Sequence, residues 1–254
     1  MHRFLLNILI IHFGKCGTIL FQKMANDSLK IRFVVATRES KENFHENTFT
    51  GKSIKLFNFP FLELRLFPEN REGLSKVYNI AINESAKNPA ILVFIHDDVL
   101  ILDYYWADAI YNWFQRFQIL CIAGNINRTG NQPSWCFLDK KLTPDKQSNL
   151  SGLVGHGENF PPKQLNYYGR PLQEVKILDG LLIAVNSDVL IKNNLKFDER
   201  FSFHLYDVDF FRQAEEKGIK MGTIPMSIIH KSPGGYVSEE WKKSCDVYFK
   251  KWNK

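Results

Sequence analysis

Two acidic clusters and a late histidine are the residues whose types and spacing invite chemistry. The first cluster is FIHDDV, residues 94 to 99, where the apolar run Ala90 to Ile95 stops at His96-Asp97-Asp98. Adjacent carboxylates repel unless a cation, hydrogen bonds or protonation relieves them. A hard divalent cation, Mg²⁺ or Mn²⁺, bridging to a diphosphate is one solution. A solvated turn or a helix N-cap is the other, since Asp is common in both. The second cluster is Tyr206-Asp207-Val208-Asp209. At the start of a helix its carboxylates meet the positive end of the dipole, which is a structural role. In the competing reading Asp207 faces a cleft and takes a proton from an acceptor hydroxyl. His230 follows TIPMSII at a strand end, a place that suits a metal or phosphate ligand as well as a hydrogen-bonded core histidine.

Other chemistries lack their signatures. The chain contains no GxGxxG, no GxxxxGK[ST] and no GxSxG elbow, which disfavours dinucleotide, P-loop and hydrolase readings. Its four cysteines, Cys16, Cys121, Cys136 and Cys245, are scattered without a CxxC pair, as expected of a reducing compartment. The charge balance is 33 Lys+Arg against 27 Asp+Glu, a net +6. Its basic residues are dispersed rather than gathered into the stripe of a nucleic-acid binder. Such a surface is compatible with phosphorylated small molecules or an anionic membrane face. The apolar run Phe4 to Ile11 is far shorter than the ~20 residues needed to cross a bilayer. A cytoplasmic protein with peripheral membrane contact is the expectation.

These residues need elements to hold them. With 254 residues, 44% of them hydrophobic, the chain can bury a full core, and disorder, collagen and coiled coil are excluded. Ile31 to Thr37 reads as a strand, Ile54 to Phe59 as a second strand, and the stretch from Gly73 towards Pro89 as a helix. Ala90 to Ile95 reads as a central strand covered on both faces. Trp106 to Phe117 is a helix candidate, and the apolar run Ile119 to Ala123 follows. Residues 125 to 170 are polar and rich in Gly, Pro and Asn, which suggests a substrate-facing insertion with small strands. Ile177 to Val185 and Met221 to Ile229 read as strands, and Asp207 to Lys217 as a helix closed by Gly218. The alternation implies an α/β fold with a mostly parallel central sheet and helices on both faces.

In order and spacing, Val34-Val35-Ala36-Thr37, NREGLSKVYN at 70 to 79, FIHDDV, LDGLLIAV at 178 to 185 and FDERFSFHLYDVDFFRQAEEKG at 197 to 218 resemble family 2-like glycosyltransferases with the GT-A fold. The likeness covers residues 31 to 235. It implies a nucleotide-sugar-binding half over 31–124, an acceptor-binding and catalytic half over 125–235, and a C-terminal helical tail or lid over 236–254. Residues 1–30 would be an extension or a first strand. By resemblance, Thr37, Arg38, Glu39, Asn70, Ser75, Asn79 and Asp97 would approach the nucleotide. Asp98 and His230 would hold Mn²⁺ or Mg²⁺, and Asp207 would be the catalytic base. Asp179, Gly180, Tyr206 and Asp209 would face the acceptor, with Trp135 and Trp241 either stacking on sugar or anchoring the core.

The chain departs from the family pattern twice. His96 stands at the first acidic position of the DxD motif, where it would either coordinate the cation or hold the loop, and Tyr206 replaces the acidic partner of the base. The implied reaction is inverting transfer of a sugar from a nucleotide-diphosphate donor, UDP-sugar foremost, to a glycan or glycolipid hydroxyl in cell-surface polysaccharide or lipopolysaccharide assembly. A non-catalytic carbohydrate-binding or structural protein on the same scaffold, and a sugar-phosphate nucleotidyltransferase, are the alternatives.

Overall fold

The computed structural model describes residues 29–232 and 236–253. The Phe4 to Ile11 run, Cys16 and the Gly234-Gly235 turn lie outside the described residues. The first half of the chain gives β1 (Ile31–Ala36), α1 (Phe44–Asn47), α2 (Phe49–Phe57), β2 (Leu62–Phe67), α3 (Leu74–Ser85), β3 (Ile91–Ile95), β4 (Val99–Ile101), α4 (Trp106–Trp113), β5 (Ile119–Cys121) and β6 (Ala123–Asn125). The second half gives β7 (Leu150–His156), β8 (Gln164–Gly169), β9 (Glu174–Val175), β10 (Ile177–Leu178), β11 (Leu182–Asn186), α5 (Ser187–Lys192), α6 (Tyr206–Glu216), β12 (Met221–Thr223), β13 (Ile228–His230) and α7 (Glu239–Trp252).

Side chains alternate across a strand, so a strand covered on both faces needs apolar residues at every position. On β3, Leu92 and Phe94 join one core with Tyr78 of α3, Phe210 of α6 and Tyr248 of α7. Ile91, Val93 and Ile95 join the other with Phe57 of α2 and Trp106 of α4. Helices therefore cover both faces, as expected. The sheet order is β2-β1-β3-β11-β5-β12-β9. Its β1, β2 and β3 are parallel, but β11 runs antiparallel to both β3 and β5, and β9 antiparallel to β12. The sheet is thus mostly parallel, as expected, but not purely so: β11 and β9 run against the other five strands.

A second sheet, β10-β6-β7-β13-β4 with β8 on β7, adjoins the carboxyl end of β3. Several segments of chain join the sheets, among them β3 to β4 through residues 96–98, β5 to β6 through Ile122, β10 to β11 through residues 179–181, and β12 to β13 through residues 224–227. The apolar runs Ile119 to Ala123, Ile177 to Val185 and Met221 to Ile229 are thus each two short strands in different sheets. Their patterning stays apolar across the junction because both sheets are buried there.

The expected strand over Ile54 to Phe59 is instead the end of helix α2. Its start is set by Thr48, whose hydroxyl accepts the Gly51 N–H at 2.9 Å. Phe49, Ser53 and Phe57 then recur every four residues on the buried side, while Leu56 is exposed. This helix positions the acidic turn. The Thr50 hydroxyl bonds the carbonyls of His96 (2.5 Å) and Val99 (2.9 Å), its N–H donates to the Asp97 carbonyl, and the Ser53 hydroxyl accepts the Ile101 N–H.

Helix α6 carries the second acidic cluster. It is closed by Gly218 at φ +68, a left-handed position that glycine adopts without strain. Asp209, expected to face the acceptor, is fully buried. Its carboxylate accepts from Lys251 Nζ, Trp252 Nε1 and Gln213 Nε2, each at 2.8 Å, and so ties α6 to α7. Removing one partner of a buried ion pair strands the other charge. Asp209→Ala is therefore expected to destabilise the fold by about 3 kcal/mol in urea unfolding. A loss under about 0.5 kcal/mol, the size of an ordinary surface change, would contradict this structural role.

Candidate active site

The carboxyl ends of β1, β2 and β3 meet at one edge of the first sheet, the place where open α/β sheets bind ligands. A pocket of about 280 Å³ there is lined by Thr37, Arg38, Asn70, Arg71, Asp97 and Phe203, among others. Thr37 donates to Asp97 Oδ2 at 2.6 Å, and Arg38 donates to the Asn70 carbonyl at 2.6 Å. Burial holds the Asp97 carboxyl above its usual range despite the Thr37 bond.

Three other residues expected at the nucleotide are engaged elsewhere. Glu39 accepts from Asn47. Ser75 is buried and donates to the Phe201 carbonyl at 2.6 Å. Asn79 is buried as well, donating to the Phe197 carbonyl and accepting the Phe197 N–H. Ser75 and Asn79 clamp the 197–203 loop to α3 and thereby set the wall that Phe203 presents to the pocket. Their polar groups serve the loop, a role that helical spacing alone does not reveal.

A larger cleft of about 590 Å³ adjoins this pocket and shares Phe203 with it. His96, Asp98, Asp179, Tyr206, Asp207 and His230 all line it, so β3, β13, the 179–181 junction and α6 deliver the two acidic clusters to one space. One ligand atom from each of His96, Asp98 and His230 lies within 4.8 Å of the others. Asp98 Oδ1 and His230 Nε2 are buried and face each other at the ion-pair distance of 3.3 Å, and neither has a further hydrogen-bond partner among the described residues. Buried polar atoms need partners, and these two have only one long contact with each other, which a shared cation would replace with two ligand bonds. A pair of imidazoles with one carboxylate is a donor set for a divalent transition ion such as Mn²⁺ more than for Mg²⁺. The residues therefore fit the implied metal, with His96 in the cluster. Burial raises the Asp98 carboxyl, but His230 and His96 outweigh it and hold it below its usual range. Burial, with the neighbouring His230, holds the His96 imidazole below its ordinary value against the pull of Asp98.

At the start of α6, Leu205 sits in the left-handed region at φ 59, which costs a non-glycine residue of order 1 kcal/mol and turns the next residues into the cleft. Asp207 Oδ2 accepts the Gly180 N–H at 3.0 Å. The Tyr206 hydroxyl donates to the Gly180 carbonyl at 3.0 Å and lies 2.8 Å from His96 Nε2. A Cβ at Gly180 would come within 2.6 Å of that hydroxyl and 2.9 Å of the Asp207 oxygen, so only glycine fits. Burial, reinforced by the Asp179 carboxylate, pushes the Asp207 carboxyl up to about 7. A carboxylate poised there is suited to accept a proton near neutral pH.

Trp135 lines the cleft edge-on to Tyr168, with ring centroids 4.7 Å apart. Trp241 is buried in the core against Tyr236 and does not line the cleft, which is the anchoring one of its two expected roles. His156 was missed as a site residue. It pairs with His230 across β7 and β13, its ring 5.8 Å from that of His230. The only signal in the sequence was its bracketing by Gly155 and Gly157.

The sequence model described as a glycosyltransferase like family matches residues 69–252, well over half of the chain. The chain belongs to this glycosyltransferase family. Among curated proteins none matches the sequence. Among solved structures, GalNAc-T7 with UDP, GalNAc and Mn²⁺ is similar at 13% identity and a TM-score of 0.50, over 88% of this chain and 48% of that one. The glycosyltransferase chain thus spans about half the length of that structure. A protein from STIV aligns at 11% identity and a TM-score of 0.47, over 80% of this chain and 86% of that one. A putative glucose-1-phosphate thymidylyltransferase from Bacillus anthracis aligns at 9% identity and a TM-score of 0.38, over 79% and 89%. The fold of this glycosyltransferase is accordingly GT-A-like, the family and fold that the ordered motifs implied.

Proposed function

We propose that this glycosyltransferase moves a sugar from a nucleoside-diphosphate donor, UDP-sugar foremost, to a hydroxyl acceptor with inversion at the anomeric carbon. The observation that carries this reading is that one cleft holds both a His96-Asp98-His230 cluster and, on α6, a carboxylate with its proton affinity tuned to about 7. His96, Asp98 and His230 would hold Mn²⁺, which supplies charge neutralisation for the leaving diphosphate. Asp97, Thr37 and Arg38 border the pocket for the nucleoside. Asp207 removes the proton of the acceptor hydroxyl, oriented by the Gly180 N–H on its far oxygen. Asp179 raises the proton affinity of that base by its charge. Trp135 and Tyr168 give the cleft an aromatic wall on which an apolar sugar face can pack.

The same reading places the acceptor among glycans or glycolipids of cell-surface polysaccharide or lipopolysaccharide assembly, on the cytoplasmic side of a membrane. Unpaired thiols at Cys121, Cys136 and Cys245 fit that compartment. No helix among the described residues is long and apolar enough to cross a membrane. Any membrane contact would then be peripheral for this part of the chain.

Incubation with Mn²⁺, a panel of sugar nucleotides and glycan acceptors tests the proposal. Transfer with release of nucleoside diphosphate, and an inverted anomeric proton coupling in the product, is the expected result. Release of pyrophosphate would favour nucleotidyl transfer instead. The base also fixes a pH dependence. Below about 7 Asp207 takes up a proton and loses its basic form, so kcat/KM for transfer should fall about tenfold per pH unit and level off above. A flat profile from pH 5.5 to 8 would remove Asp207 from the proton-transfer step.

A further inference from the structure

The two positions at which this chain departs from the family pattern, His96 and Tyr206, touch each other. Their contact is 2.8 Å, between His96 Nε2 and the Tyr206 hydroxyl. That hydroxyl has one proton, and it is committed to the Gly180 carbonyl, which can only accept. Toward His96 the oxygen must therefore accept, and the proton between them belongs to the imidazole. We infer that Tyr206 is a positioning residue that locks His96 as the Nε2–H tautomer and leaves the Nδ1 lone pair as the atom available to a divalent cation. This inference rests on the metal-dependent reading of the cleft and deepens it.

The surroundings hold the lock in place. Tyr206 is buried, its ring packed against Tyr78 and Phe197, with centroids 5.9 and 5.8 Å away. The His96 backbone is fixed by its N–H to the Leu181 carbonyl and by its own carbonyl to the Thr50 hydroxyl. Gly180 receives Tyr206 on its carbonyl and gives its N–H to Asp207 Oδ2. One residue, Gly180, thus joins a cluster histidine, through Tyr206, to the proposed base. A histidine that binds metal through one nitrogen is oriented by the partner of the other, and losing that partner typically weakens the metal about 10–100-fold.

The test is a long-range ¹H–¹⁵N correlation spectrum of histidine-labelled, metal-free protein, with the His96 signals assigned by their loss in His96→Gln. The expected pattern is a protonated Nε2 and an unprotonated Nδ1. In Tyr206→Phe, which keeps the packed ring and removes only the hydroxyl, that preference should collapse. Binding of Mn²⁺ alone, followed by electron paramagnetic resonance, should weaken at least ~10-fold. A protonated Nδ1 in the parent protein overturns the inference without need of the variant. So does an unchanged Mn²⁺ affinity in a folded Tyr206→Phe protein. Neither readout involves sugar transfer. A protein that shows the tautomer and binds Mn²⁺ but transfers no sugar fails only the transferase reading.

Discussion

Asp207→Asn should reduce sugar transfer by ~10²–10⁴-fold, the range set by loss of a positioned general base, while donor affinity stays within about twofold. The substitution is nearly isosteric, and its side-chain oxygen can still accept the Gly180 N–H that Asp207 accepts at 3.0 Å. It removes a carboxyl whose proton affinity burial and Asp179 have raised, so the variant should be no less stable than the parent protein. Steady-state kinetics beside calorimetric donor binding separates the two effects. Parallel loss of donor affinity and rate would place Asp207 in the donor site. Full retention of rate would end its role as base.

Asp98→Asn should act on the other side of the reaction. Asp98 is the one carboxylate in the cluster with His96 and His230, and beyond its contact with His230 its Oδ1 has no hydrogen-bond partner among the described residues. Removing a direct ligand should weaken Mn²⁺ by at least the ~100-fold that the loss of an outer partner can cost. Metal-dependent donor binding and transfer should fall with it. The fold should persist, because the shape is kept and the Asp98 backbone carbonyl still receives the Lys231 N–H at 3.0 Å. Mn²⁺ titration and thermal unfolding check both halves. Unchanged Mn²⁺ affinity would dissolve the cluster as a metal site, and Mn²⁺ loss through unfolding would leave Asp98 a structural residue.

These variants separate two carboxylates that the sequence already set apart. The apolar run ending at His96 placed Asp97 and Asp98 at a sheet edge, and the helical spacing after Tyr206 placed Asp207 at a helix start. What the local pattern could not show was contact between distant segments. Nothing near His96 specifies that Tyr206 is its partner, and nothing near His156 specifies that β13 brings His230 alongside it. Ser75 and Asn79 were expected to approach the nucleotide, but their hydrogen-bond partners lie more than a hundred residues later in the 197–203 loop.

Secondary structure failed for related reasons. Ile54 and Leu56 suggested alternation, but residues two apart lie on opposite sides of a helix, and in α2 Leu56 is exposed. The decisive residues were Thr48 and Ser53, a cap and a buried hydroxyl, rather than the apolar ones. Continuous apolar runs hid three passages between sheets because burial does not change where the chain crosses. Asp209 was misassigned because a buried ion pair with Lys251 requires the final helix to return onto α6.

The measurement that bears most directly on the whole account is calorimetric binding of UDP, GDP, CDP and their common sugar conjugates, each with Mn²⁺ and with excess EDTA. The account predicts saturable binding of one nucleotide class that needs Mn²⁺ and disappears with EDTA. Equal binding with and without the metal would contradict the His96-Asp98-His230 assignment, and no binding at all by folded protein would contradict sugar transfer itself.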